Sequence, residues 1–277
     1  MSRTRVYATE AIILRRADYG EADRLLTLMT PHLGKLRVIA KGARKITSRK
    51  AGHIELFARV RLLLARGRSF DIVSQAELIE PHRSLREDVL RGSYAHYLSE
   101  LIDQFAREGE EDAPLYDLFA NGLMWVCQAS KPALAARYFE MRLLTIAGYR
   151  PQLFRCAQTQ TPLEIDQLIA VAQTIRLPST AFSPTVGGVL CEKAAVGVKD
   201  ALPLAPATLF LMRALQTMTF DEMAARAGDY PEHALQQTER AMRQYLSYVL
   251  ERSLRSTRLI TEIELDRRSG DPYQSDF

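Results

Sequence analysis

Much is missing from this sequence. Three cysteines in 277 residues (Cys127, Cys156, Cys191) cannot build a disulfide framework, which suits a reducing compartment. No apolar run approaches the ~18 residues of a spanning helix. The opening MSRTRVYATEAII carries two arginines without an apolar core or a small-residue cleavage site. The location expected is therefore the cytoplasm. The five histidines (His32, His53, His82, His96, His233) are scattered with no His-Glu-x-x-His spacing. Neither a Gly-x-Ser-x-Gly elbow nor a P-loop is present. Neighbouring carboxylates such as Glu110-Glu111-Asp112 fall in a predicted loop and read as solvation. Catalysis has no constellation to rest on, and the chain is expected not to be an enzyme. There is no internal repeat and no low-complexity tract. With 47% hydrophobic and 25% charged residues, the composition is that of a folded chain rather than a disordered one.

What is present is an uneven distribution of charge. The formal net charge is +4, yet residues 1–80 carry 16 Lys+Arg against 8 Asp+Glu, while the remainder carries 21 against 25. A segment at +8 ahead of one at −4 points to a polyanion-binding module on a mildly acidic partner domain. A solvated basic surface is the plainer alternative.

The same 80 residues read as short strands. Ala8–Leu14 is β-rich and stops at the turn cluster Asp18-Tyr19-Gly20-Glu21; Leu25–Thr30 closes at Pro31-His32-Leu33-Gly34. Lys35–Ala40 alternates Lys35, Arg37 and Ile39 against Leu36, Val38 and Ala40. After the loop 41–52, Ile54–Leu64 alternates again. Ile54, Leu56, Ala58, Val60 and Leu62 share one face, and Glu55, Phe57, Arg59 and Arg61 the other. A hairpin at Arg66-Gly67-Arg68-Ser69 leads to a fifth strand, Phe70–Ile79. Five short strands without a useful helix between them predict a closed barrel, and five is the strand count of the OB-fold, an oligonucleotide-binding architecture.

From Pro81 the period becomes helical, from Leu85 to Phe105, with Ser84 as the expected N-cap. Further helices are predicted from Pro114 to about Gln128, from Pro132 to Ala147-Gly148, near Pro206–Thr217, and from Glu232 to about Arg255. Residues 149–204 read as irregular, Leu259–Leu265 as a last strand, and the tail from Asp266 as frayed. The class is α+β: a five-stranded OB-fold barrel at 1–80, then a mostly α-helical domain at 81–277.

Candidate binding residues concentrate in the barrel. The loop Lys41-Gly42-Ala43-Arg44-Lys45-Ile46-Thr47-Ser48-Arg49-Lys50 holds five cations and no acid, a composition suited to following a phosphate backbone. Lys35 and Arg37 alternate outward on one predicted strand, and Arg59 and Arg61 on another. Phe57 shares the latter face, where its ring could stack on an unpaired base or equally pack against the helical body. Arg24, Arg66 and Arg68 complete the set.

A run of motifs resembles the RecO family of bacterial recombination mediators. They are Tyr19-Gly20-Glu21-Ala22-Asp23-Arg24-Leu25-Leu26-Thr27-Leu28, Thr30-Pro31, Gly34-Lys35-Leu36 and Ala40-Lys41-Gly42-Ala43-Arg44-Lys45. The likeness continues at Tyr94–Glu100, Gly148-Tyr149-Arg150-Pro151, Phe182-Ser183 and Gly187–Cys191, so it covers most of the chain in order. It implies an N-terminal OB-fold, a helical C-terminal domain, binding of single- and double-stranded DNA, and annealing of complementary strands. It also implies action with RecR to help RecA replace single-strand-binding protein (SSB), hence a nucleoid-associated location. A generic OB-fold factor for single-stranded DNA or RNA is the alternative, with an enzyme such as a phosphoesterase third.

Many relatives carry a zinc module of two Cys-x-x-Cys pairs. Here these read Cys156-Ala157-Gln158-Thr159 and Cys191-Glu192-Lys193-Ala194, one cysteine surviving in each, so no zinc is expected. The resemblance also implies a pocket for the acidic, Phe-terminated SSB tail. Arg137, Arg142 and Lys199 are candidates for its cationic rim; the chain's own end, Ser275-Asp276-Phe277, imitates such a tail.

Overall fold

The computed structural model describes residues 6–48, 50–163, 180–251, 256–257, 260 and 262–264. Compactness divides the chain into one unit of Met1–Gln128 with Leu254–Phe277 and a second of Ala129–Ser253. The chain thus divides later than the change from strand to helix near Glu80.

The first unit opens with β1 (Val6–Tyr19), β2 (Asp23–Thr30), β3 (Gly34–Ala40), β4 (Arg59–Ala65) and β5 (Asp71–Glu80). They close a barrel in the order β1-β2-β3-β5-β4. The pairings are antiparallel except for β3 with β5, which is parallel at Val38↔Asp71 and Ile39↔Ile72. This is the OB-fold, as the strand count predicts. Ala11 and Ile13, Leu26 and Leu28, Val38 and Ala40, Val60 to Leu64 at alternate positions, and Val73 fill the interior.

Alternation fails in two places, each for a physical reason. Ala11, Ile12, Ile13 and Leu14 are all buried, because helical chain packs on the outer face over this stretch of β1 while the barrel takes the inner one. Ile12 stands opposite Met29, and both are fully buried outside the barrel core. Second, the predicted strand Ile54–Leu64 begins only at Arg59. Phe57 takes a positive φ of 66°, which no strand tolerates, while Phe57 N–H donates to the Ile13 carbonyl at 3.0 Å. At Gly34, φ is +58° and a Cβ would stand 1.8 Å from the Glu110 carbonyl oxygen. The glycine lets the segment 107–110 run along β3, with Lys35 N–H bonded to Arg107 O at 3.2 Å and Gly109 N–H to Lys35 O at 3.1 Å.

Three helices follow: α1 (Ser84–Glu87), α2 (Val89–Phe105) and α3 (Ala113–Gln128). The long helix is capped by Asp88, whose carboxylate accepts from Arg91 N–H at 3.0 Å, and not by Ser84, which begins the one-turn α1. The end of the chain returns to this unit in helical, not strand, conformation at Ser256, Thr257, Ile260 and 262–264. The residues from Asp266 onward lie outside the described residues.

The second unit begins with α4 (Pro132–Ile146). The region read as irregular contains β6 (Thr180–Ser183), β7 (Gly188–Cys191), α5 (Glu192–Ala195) and β8 (Leu202–Leu204), with a three-stranded sheet in the order β7-β6-β8. Strands this short leave too little pattern to detect. There follow α6 (Pro206–Thr217), α7 (Phe220–Ala225) and α8 (Glu232–Leu250). The last helix stops short of the predicted Arg255 because Glu251 turns left-handed (φ 53°).

Candidate nucleic-acid interface

Register sets the rows of side chains on the outer face of β1, β2 and β3. Arg15, Thr27 and Arg37 stand opposite one another; Ala17, Leu25 and Ile39 form the next row, continued by Ile72 of β5. Tyr19 and Phe70 edge this surface, their rings 6.3 Å apart at 77°. The Arg37 guanidinium lies 5.6 Å from the Phe70 centroid. Tyr19 is 44% exposed, and the Arg15 and Arg37 side chains 70% and 49%. Arg15 pairs with Asp103 at 3.4 Å and Arg37 with Glu108 at 3.3 Å. Such solvent-exposed pairs contribute about 0–1 kcal/mol and are screened by salt, so an incoming phosphate can compete for either arginine. A platform with aromatic edges and flanking guanidinia can stack unpaired bases and pair with phosphates at once. Tyr19 and Phe70 escaped the sequence reading because each borders a hairpin turn, and only closure of the barrel brings them together.

The acid-free loop emerges beside this face. Ala43 is buried in the barrel core, Gly42 N–H donates to Asp23 Oδ1 at 2.8 Å, and Arg44 N–H donates to Ala22 O at 2.9 Å. Lys41, Arg44 and Lys45 are exposed. Arg44 pairs with Asp18 at 3.3 Å; Lys50 Nζ instead donates to Val73 O at 3.0 Å. Arg49 lies outside the described residues. Arg68 is exposed in the β4–β5 hairpin, and Arg66 sits 4.8 Å over the Tyr7 ring.

Other predicted residues are placed differently. Phe57 is 1% exposed and meets the His96 ring edge to face at 4.9 Å, so it packs against the helices and offers no ring to a base. Lys35 is spent on Asp103, bonding its carbonyl at 2.6 Å and its carboxylate at 3.1 Å. Arg24 shares the face of Leu26 and Leu28, with Nε buried and lacking a hydrogen-bond partner among the described residues. Arg59 and Arg61 do face outward, but β5 lies between β4 and β3, so they do not join Arg37. Both clamp Glu10, at 2.8 and 3.5 Å, and Arg61 also reaches Glu77 at 3.4 Å. The hydrogen bond from Arg59, with Arg61 adding to it, holds the Glu10 carboxyl below its ordinary range against the opposing effect of burial.

In the second unit, Arg137 is 4% exposed and paired with the buried Glu140 at 2.6 Å and with Glu239 at 3.5 Å. Arg142 donates to the Gln216 carbonyl at 3.3 Å and to Tyr138 Oη at 2.8 Å. Both are engaged in these contacts, whereas Lys199 is exposed.

Cys156 and Cys191 do converge. Cys191 N–H donates to Cys156 Sγ at 3.4 Å, and Ala157 N–H to Val189 O at 2.7 Å. Burial opposes the Cys156 thiolate, but the Thr159 hydroxyl and the backbone N–H groups of Cys191, Thr159 and Gln158 draw its pKa down to about 6. No group of three or more metal-ligating side chains occurs among the described residues. Two thiols do not fit a tetrahedral zinc, which takes four ligands.

Residues 1–82 match the family profile described as Recombination protein O N terminal, and residues 86–258 that of Recombination protein O C terminal. Among similar curated proteins is the DNA repair protein RecO of Roseiflexus sp., 38% identical over 270 residues that cover 98% of this chain and 90% of the relative. Another is the DNA repair protein RecO of Dehalococcoides mccartyi, 31% identical over 252 residues (91% and 94% of the two chains). The namesake of Desulforudis audaxviator is 41% identical over 197 residues (71% and 72%).

Proposed function

The chain belongs to the RecO family of DNA repair proteins, and on that premise we propose that it is a recombination mediator that binds single- and double-stranded DNA and anneals complementary strands. With RecR it helps load RecA onto SSB-coated DNA, touching the SSB C-terminal tail, in the cytoplasm at the nucleoid. No step is covalent. The observation that carries the reading is the face of β1, β2 and β3, where Tyr19, Phe70, Arg15 and Arg37 border an acid-free cationic loop. Aromatic faces accept unpaired bases of any sequence. Cations bring two polyanions together by replacing their counterions, so phosphate contact supplies affinity and little base preference.

The test is annealing of complementary strands precoated with the matching SSB. The wild type is expected to accelerate it. Tyr19→Ala with Phe70→Ala is expected to slow it and to weaken single-strand binding by about 1–3 kcal/mol per lost stack. Binding without acceleration would return the protein to the class of generic single-strand-binding factors.

A further inference from the structure

The tip of the cationic loop carries an apolar side chain with nothing to cover it. Ile46 has a relative exposure of 105%, ahead of Val196 at 82% and Val89 at 71% among the exposed large hydrophobics. Isolated exposed apolar residues are common on proteins, and exposure alone assigns nothing. Position does. Ser48 N–H donates to Lys45 O at 2.9 Å, so Ile46 and Thr47 are the two central residues of a tight turn. Turn centres favour Pro, Asn, Asp, Ser and Gly for their dihedral angles or local hydrogen bonds; a β-branched aliphatic residue supplies neither.

The turn is also held at its base. Lys45 N–H donates to Gly42 O at 3.1 Å, Gly42 is fixed on the Asp23 carboxylate, and Ala43 plugs the barrel core. Exposed cations lead up to the tip at Lys41, Arg44 and Lys45. Ile46 is therefore an apolar projection on an anchored stem, next to the groups that would lie along phosphates.

We propose that Ile46 is a wedge that enters between adjacent base pairs of a duplex when the loop seats on its backbone, opening one base step. Apolar side chains of this kind partly unstack a step and kink the helix, and the neighbouring phosphate contacts hold the wedge in place. The inference rests on the reading of the barrel as a DNA-binding module and adds a duplex-specific contact to it. For annealing, an opened step next to the Tyr19 and Phe70 platform offers unpaired bases to that platform.

The experiment uses the full chain and duplexes with 2-aminopurine at successive positions, whose fluorescence rises when its neighbours unstack. Wild-type protein is expected to raise the signal on binding, and Ile46→Ser to lose most of that rise, with Ile46→Leu retaining it. The salt dependence of duplex affinity is expected to be the same for Ile46→Ser and wild type, because no phosphate contact is removed. An equal rise with Ile46→Ser, or no rise with wild type bound at saturation, overturns the wedge and leaves DNA binding standing. No duplex or single-strand binding by the wild type overturns the parent reading as well. Loss of binding to anionic vesicles in Ile46→Ser with the 2-aminopurine signal intact would assign the side chain to a membrane surface instead.

Discussion

Phe57 shows how a single dihedral angle decides a residue's role. On an uninterrupted strand its ring would share the outer face with Arg59; with φ at 66° it points into the helices and packs on His96. His82 Nδ1 donates to the Phe57 carbonyl at 2.9 Å, so two imidazoles bracket this residue. Burial pushes the pKa of both His82 and His96 below the ordinary histidine value. The unfolded chain takes up protons near the ordinary value of about 6.5, while the folded chain refuses them until a lower pH. The contribution to stability is therefore complete above about pH 6.5 and is lost as the pH falls through the window below it. Urea titration at pH 7.5 and 5.5 is expected to give a lower midpoint at the acid pH, and His96→Phe is expected to narrow the difference. A difference unchanged in His96→Phe would place the acid sensitivity elsewhere.

At the scale of elements, the strands and helices with a clear period were legible and their ends were not. The helix expected near Pro206–Thr217 is found there because a proline opens it. The candidate face was legible only as an excess of cations in the strands and loop of the barrel. Which cations are free was not, because that depends on partners distant in sequence: Asp103 for Lys35, Glu10 for Arg59 and Arg61, Val73 for Lys50. The platform aromatics were hidden for the same reason, since Tyr19 and Phe70 meet only across the closed barrel. The consequence is quantitative. Five loop cations on phosphate would account for up to ~3.5 units of salt slope at about 0.7 each on single strands. With Lys50 bonded to the barrel, neutralising Lys41, Arg44 and Lys45 together is expected to flatten the slope by up to ~2 units. Lys50→Ala alone is expected to leave the slope of log affinity against log salt unchanged, and a shift of a full unit in that variant would show that Lys50 leaves Val73 to bind DNA.

At the scale of the whole molecule, sequence order and compactness part company. Secondary structure changes near Glu80, yet α2 and α3 belong to the same compact unit as the barrel, and so does the end of the chain. Ser256 N–H donates to the Glu100 carboxylate at 2.8 Å, Tyr94 Oη bonds Glu264, and Ile260 is 3% exposed. The last segment thus packs on α2, the helix whose His96 covers Phe57. A chain ending at Glu251 would uncover that face of α2 and remove a carboxylate from a fully buried tyrosine. It is expected to melt at a lower temperature than the full chain in the barrel-bearing unit, with the Ala129–Ser253 unit unaffected. Hydrogen exchange separates the two outcomes: faster exchange is expected in α2 and in β1, against which α2 packs, and unchanged exchange in α4, α6 and α8. Loss of protection confined to the second unit, which holds the residues immediately before the cut, would mean that the terminal segment stabilises its sequence neighbours and not the N-terminal barrel. Because α2 backs β1 and β1 carries Arg15 and Tyr19, the same truncation is expected to weaken single-strand binding although it removes no residue of the proposed DNA face.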